Sequence, residues 1–129
     1  MAKVAVHHPE QGKSTGNYSE AVVCDGWVFV SGHASLDMNT GEVVSGTIEE
    51  ETRRTLQHIE RVLQAAGCTL DDVVKCSCHL ADIRDYDGFD RTYGGFFAGV
   101  APARCTVQSG LWGGLKVEIE AIARMPQKS

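Results

Sequence analysis

The chain has 129 residues and carries a formal charge of -5, from 12 Lys+Arg against 17 Asp+Glu. That size suits one domain, 1–129, which can bury about two-thirds of its unfolded surface without metal or disulfide staples. Hydrophobic residues at 43% and charged residues at 22% argue against disorder, and an acidic chain with no Lys/Arg cluster argues against nucleic-acid binding.

Residues 1–17 are polar and read as an arm, with a short strand at 4–7. In "AVVCDGWVFVSG" two β-rich runs flank Asp25-Gly26, the strongest short hairpin signal. "HASLDMNTGEVVSG" is turn-rich and is expected to be a surface loop. Thr47 and Glu50 then form a capping-box pattern. Behind it, Ile48, Thr52, Leu56, Ile59, Leu63 and Ala66 recur at the helical period until Gly67 stops the run.

"VVKCSCHLAD" alternates, with Val74, Cys76, Cys78 and Leu80 on one side and Lys75, Ser77 and His79 on the other, as in a half-covered strand. A second helix is expected from near Asp85 through Phe89, Tyr93, Phe96 and Phe97, with Gly94, Gly95 and Gly99 allowing a neighbour to approach. Pro102 closes it off before Arg104. The last strands are "RCTVQSG" and "LKVEIEAIARM", separated by a Trp-Gly-Gly turn. Leu115, Val117, Ile119, Ala121 and Ala123 share one face of the final strand; Lys116, Glu118, Glu120, Ile122 and Arg124 share the other. The predicted order is β-β-α-β-α-β-β, a mostly antiparallel sheet with two helices on one face. Its other face is either bare to solvent or shared with other subunits.

Five cysteines, Cys24, Cys68, Cys76, Cys78 and Cys105, make an odd count. With no apolar leader and no 18-residue apolar run, a reducing cytoplasm and no membrane are expected. The cysteines read as small buried apolar residues, and no histidine or cysteine spacing suggests a metal. Neither a phosphate loop nor a dinucleotide fingerprint is present. From the residues alone, Arg104, Glu118 and Glu120 are either solvated or salt-bridged charges or the chemistry of a site.

Taken in order, Gly16-Asn-Tyr18-Ser-Glu-Ala, Val30-Ser-Gly32, "NTGEV", "LQAAG", "Y..FF", "APARCTV" and "LKVEIEAIA" resemble the RidA/YjgF family of enamine/imine deaminases over Gly16 to Arg124. The resemblance implies a chorismate-mutase-like α/β fold, a homotrimer with a barrel core, and clefts between subunits. It implies cofactor-independent hydrolysis of 2-imino or 2-amino-enoic acids to 2-keto acids and ammonia. It also implies that Arg104 binds the substrate carboxylate and Glu118 handles the water. Tyr18, Ser31, Gly32 and backbone groups of Cys105 would line the cleft. Three positions depart from the family pattern: Cys105-Thr106 after the arginine, His33-Ala34 after Gly32, and Asp90 where asparagine is common. Asp90 would therefore reshape carboxylate binding. Alternatives within the same resemblance are a non-catalytic trimeric binder of small carboxylates and a deaminase of a larger substrate such as 2-aminomuconate.

This chemistry suits these groups. Arginine's planar fork can hold a carboxylate through two parallel hydrogen bonds, which lysine cannot do. A nearby carboxylate can orient water and move protons between it and the departing nitrogen.

Overall fold

The computed structural model describes residues 2–12 and 14–127; Met1 and Lys13 of the expected arm lie outside them. Asp25 and Gly26 both take positive φ, 54° and 80°, the twist a two-residue hairpin needs. They join β2 (Ala21–Cys24) to β3 (Trp27–Ala34), with Cys24 opposite Trp27. Upstream, the expected strand is β1 (Val4–Val6), which pairs antiparallel with β2.

Helix α1 (Ile48–Ala65) begins where the capping pattern predicts. Thr47 Oγ1 accepts the Glu50 N–H at 3.1 Å, and Glu50 Oε1 accepts the Thr47 N–H at 2.8 Å. It ends in a Schellman turn: the Cys68 N–H reaches Leu63 O at 2.8 Å and the Gly67 N–H reaches Gln64 O at 3.1 Å, with Gly67 at φ 87°. Leu56, Val62 and Leu63 are fully buried, each contributing about 1.5–3 kcal/mol relative to exposure.

The remaining strands and α-helix are β4 (Val73–Leu80), α2 (Tyr86–Gly94), β5 (Ala103–Gln108) and β6 (Val117–Arg124). Among the described residues, six strands lie in the order β1-β2-β3-β6-β4-β5, antiparallel except for the parallel pair β4–β5. Both helices cover one face, where Leu56, Ile59, Phe89, Val117 and Ile119 join one apolar core. This is the mixed, mostly antiparallel sheet with one-sided helices that the pattern predicts. Although consecutive in the chain, β5 and β6 do not touch, because β4 lies between them.

Four expectations need correction. Part of the "surface loop" is interior: His33, Ala34, Ser35 and Leu36 are buried, because β3 runs on to Ala34 and Leu36 bridges to Val43. Val74 is exposed rather than inward, since an irregularity between Val73 and Lys75 turns Val73 to the core instead. Helix α2 stops at Gly94, leaving Phe96 and Phe97 in the following turn, partly buried against the core. Finally, Gly94 and Gly99 have open space around them. The close approach is at Gly88, where a Cβ would lie 2.9 Å from Ile48 Cγ2 of α1.

One buried carboxylate was not anticipated. Glu51, on the first turn of α1, has no exposed surface. Its oxygens accept the Lys116 N–H at 2.9 Å and the Gly46 N–H at 3.3 Å, and meet Lys116 Nζ at 3.3 Å. Buried acids persist when bonded in this way.

A chain of histidines ties the N-terminal segment to α1. His8 is 2% exposed; its Nδ1 accepts the Glu10 N–H at 3.0 Å, so the ring proton sits on Nε2 and points to His58 Nδ1 at 3.1 Å. The proton of His58 then sits on Nε2 and reaches Leu36 O at 2.7 Å. One tautomer satisfies all three bonds, and a second proton on either ring breaks one. Burial is the main cause that lowers His8 to about 4, and the neighbouring His58 adds to it. His33 is likewise lowered to about 4, again chiefly by burial, and His58 is lowered too.

His8 and His33 are neutral when folded, so their stabilisation is complete above the unfolded value near 6.5 and is lost as pH falls from there toward 4. The loss is about 1.4 kcal/mol per pH unit for each histidine. Urea midpoints should fall between pH 7 and pH 4.5, and nitrogen-15 spectra should show His8 and His33 still neutral at pH 5. Rings that titrate near 6.5 in the folded protein would contradict this account.

Candidate active site

Strand alternation sends the two charges singled out above to opposite sides of the sheet. On β6, Glu118 lies on the face away from the helices, opposite Ala34 of β3 and His79 of β4. On β5, Arg104 is aligned with Cys76, which faces the core, and it reaches α2. Arg104 and Glu118 therefore do not meet within one chain.

Glu118 belongs to an open cleft of about 410 Å³ that also takes in Tyr18, Ser31, Gly32, Trp112 and Glu120. Strand β3 is irregular between Val30 and His33, which presents Gly32 to Glu118. A Cβ on Gly32 would stand 2.9 Å from Glu118 Oε2, so the absent side chain makes room for that carboxylate. Ser31 is tied down on both sides: its Oγ donates to Ser19 O at 2.5 Å and its N–H to Glu20 O at 2.9 Å. The half-exposed Tyr18 shares a hydroxyl contact with Thr15. Glu120 faces His79 Nε2 at 3.7 Å, and His79 Nδ1 meets Ser109 Oγ at 2.9 Å. The Glu118 carboxylate has no hydrogen-bond or ion-pair partner among the described residues.

Arg104 is only 18% exposed and sits in a second cleft, of about 390 Å³, with Asp90, Tyr93 and Phe97. Its Nη1 donates to Asp90 Oδ1 at 2.8 Å and its Nη2 to the Tyr86 hydroxyl at 2.5 Å. The rings of Tyr86, Phe89 and Tyr93 lie 5.5, 5.2 and 4.8 Å from the guanidinium carbon, close enough for cation–π attraction. Partial burial works against the charge, but the bond to Asp90 and the nearby Tyr86 outweigh it and raise the pKa above its ordinary value. A guanidinium has five N–H donors, and two are committed, so three remain for a ligand.

Tyr18, Ser31, Gly32 and Glu118 thus share one cleft, and Arg104 and Asp90 share the other. Cys105 lines neither; it is exposed on β5, aligned with Ser77 on the helix-free face. Its thiol points away from Arg104, because adjacent strand residues point to opposite faces. Cys68, Cys76 and Cys78 are buried, and burial raises all three, pushing Cys78 up to about 12. These thiols stay protonated and serve as core.

The sequence reading singles out neither Trp112, which lines the Glu118 cleft, nor Tyr86, which bonds Arg104. Trp112 stands in the Gly-rich turn before β6, 54% exposed. Tyr86 had a readable signal: with Phe89, Asp90 and Tyr93 it forms an i, i+3, i+4, i+7 stripe, one face of α2. Among the described residues, no group of three or more His, Cys, Asp or Glu is placed to hold a metal ion, and no helix is long and apolar enough to cross a membrane.

Replacing Gly32 by alanine should displace the Glu118 carboxylate with little effect on folding, because the atom in the way is the free end of a flexible side chain. A G32A crystal structure should show the displaced carboxylate, with unfolding free energy changed by less than about 1 kcal/mol. An unmoved Glu118 would contradict the contact.

A family model described as Endoribonuclease L-PSP matches residues 9–125. A RutC family protein of Pyrococcus abyssi is 37% identical over 124 residues, covering 95% of this chain and 98% of its own. The 2-iminobutanoate/2-iminopropanoate deaminase of Rattus norvegicus is 40% identical over 109 residues, 84% of this chain and 80% of its own. Among solved structures, RidA from an Antarctic Psychrobacter is 29% identical, with a TM-score of 0.87, and the match covers 95% of this chain and 99% of that one. With a family model spanning most of its length and relatives this similar, the chain belongs to the RidA/YjgF family, whose model carries the Endoribonuclease L-PSP description.

Proposed function

We propose that the protein hydrolyses small 2-imino acids to 2-keto acids and ammonia, in a site completed between copies of the chain. The observation that carries this reading is Arg104: a guanidinium fixed by Asp90, Tyr86 and the rings of Phe89 and Tyr93, inside a cleft, with three N–H donors to spare. Two of those donors suffice for a carboxylate. Glu118 then supplies the other half. It lies uncommitted in an open cleft against Gly32, where it takes a proton as water attacks the imine carbon and passes it to nitrogen. The C–O bond forms, the C–N bond breaks, ammonia leaves, and no electrons change hands, so the step needs no redox cofactor. The deaminases among the relatives act on imines of this size by name.

Because one chain points Arg104 and Glu118 in opposite directions, the reading requires self-association. The helix-free sheet face suits this: Trp27, Phe29 and Val107 are 39%, 47% and 42% exposed, and apolar patches of that kind mark contact surfaces. A homotrimer closing these faces into a barrel core would bring the arginine cleft of one copy to the glutamate cleft of the next. RNA cleavage fits poorly. Glu118, Glu120 and Asp90 would all repel a phosphate backbone, in a chain of net charge -5.

Ammonia release from imine generated in situ, corrected for spontaneous hydrolysis, should fall about 100-fold in kcat for Glu118→Ala. For Arg104→Ala it should weaken mainly through KM. Rates equal to wild type in both would overturn the assignment. Light scattering should give three times the 13.9 kDa chain mass; a monomer that is fully active would rule out the shared site.

A further inference from the structure

Arg104 does not stand alone in its cleft. Asp90, one turn into α2, is 49% exposed and lines the same cavity. Only its Oδ1 is committed, to Arg104 Nη1; Oδ2 accepts no hydrogen bond among the described residues. The cleft therefore offers a free anionic acceptor directly beside a cationic donor fork. To a plain carboxylate these two charges nearly cancel, because Asp90 repels what Arg104 attracts. A ligand with a carboxylate and a positively charged nitrogen one carbon away meets both with the right sign.

We propose that Arg104 and Asp90 together form a zwitterion-reading site, in which Arg104 takes the ligand carboxylate and Asp90 takes a cationic nitrogen on the adjacent carbon. This rests on the reading of Arg104 as the carboxylate holder. The preferred ligands are 2-iminium carboxylates, meaning 2-imino acids bound with their nitrogen protonated, and, by the same chemistry, α-amino acids. The protonated imine is also the form that water attacks readily, so Asp90 selects the reactive form at the binding step. The proton stays on nitrogen, and Asp90 only accepts its hydrogen bond. A second carboxylate on the ligand would add a negative charge to a cleft that already holds Asp90. Dicarboxylates are therefore disfavoured, which places larger dicarboxylic imines such as 2-aminomuconate outside the preferred class.

A matched pair of stable probes tests this. 2-Aminobutyrate is a zwitterion at neutral pH and 2-oxobutyrate is an anion on the same four-carbon skeleton. Calorimetric titration of the full-length protein should show 2-aminobutyrate binding about fivefold tighter, the range of a partly exposed charge-assisted hydrogen bond. Asp90→Asn keeps an oxygen for Arg104 Nη1 while removing the charge. It should abolish the preference, weakening 2-aminobutyrate and tightening 2-oxobutyrate. If Asp90 only oriented the arginine, D90N would leave the ratio between the two probes unchanged, which would overturn the proposal. So would a wild-type preference for 2-oxobutyrate, or binding of neither probe. The wild-type ratio needs no variant and so remains decisive if D90N folds poorly. Imine turnover measured in parallel separates the two readings: no turnover with the zwitterion preference intact removes the hydrolase and leaves this site standing, whereas turnover without the preference does the reverse.

Discussion

A single buried acid sets the geometry on which both clefts rest. Glu51 joins the first turn of α1 to the entrance of β6 by accepting the Lys116 N–H, and it holds the approach to α1 through Gly46. That pins the strand's register at its start. Because side chains alternate, a slip of one residue would turn Val117, Ile119 and Ala121 outward and Glu118 into the core. The cost of burying the carboxylate is offset by the bonds it receives. β6 lies between β3 and β4, so its register propagates to both neighbours: it sets Glu118 opposite His79 and near Gly32, and Ala121 opposite Cys76.

From there, the separation of charge follows. The helix-covered face must be apolar, and β6 meets that demand with four buried residues, Val117, Ile119, Ala121 and Ala123. Charges on β6 can go only to the other side. Arg104 escapes this rule because β5 is the edge strand, where a long side chain can leave the core face and lie along α2 among aromatic rings. The fold thus stores an anionic group on one face and a cationic group at the rim of the other. Folding of one chain leaves the two apart.

Much of the fold was legible because its determinants are local. Asp25-Gly26, Thr47 with Glu50, and Gly67 each dictate a turn or a helix end within a few residues, and the alternation of β6 names its buried face outright. What escaped depends on partners distant in the chain. Nothing near Val74 announces that the pairing of β4 with β6 becomes irregular there, and nothing near Glu51 reveals that its acceptors will be met by Lys116. The end of α2 is masked in the sequence because Phe96 and Phe97 continue an aromatic pattern after the helix has stopped. The candidate residues were found by resemblance. Their division between two clefts was not, because alternation assigns faces within each strand, and only the register across β5, β4 and β6 relates one strand's faces to another's.

The His8–His58 contact has an evolutionary consequence. Each ring must accept at Nδ1 and donate at Nε2, a division of labour that no single amide or hydroxyl side chain reproduces at the same reach. Loss of His58 leaves the buried His8 with an unanswered Nε2–H, and loss of His8 leaves the half-buried His58 without its donor, so change at one position at a time is disfavoured. The two sites should change together in descendants, as a joint exchange for a pair of apolar or differently bonded residues, and otherwise persist as a couple.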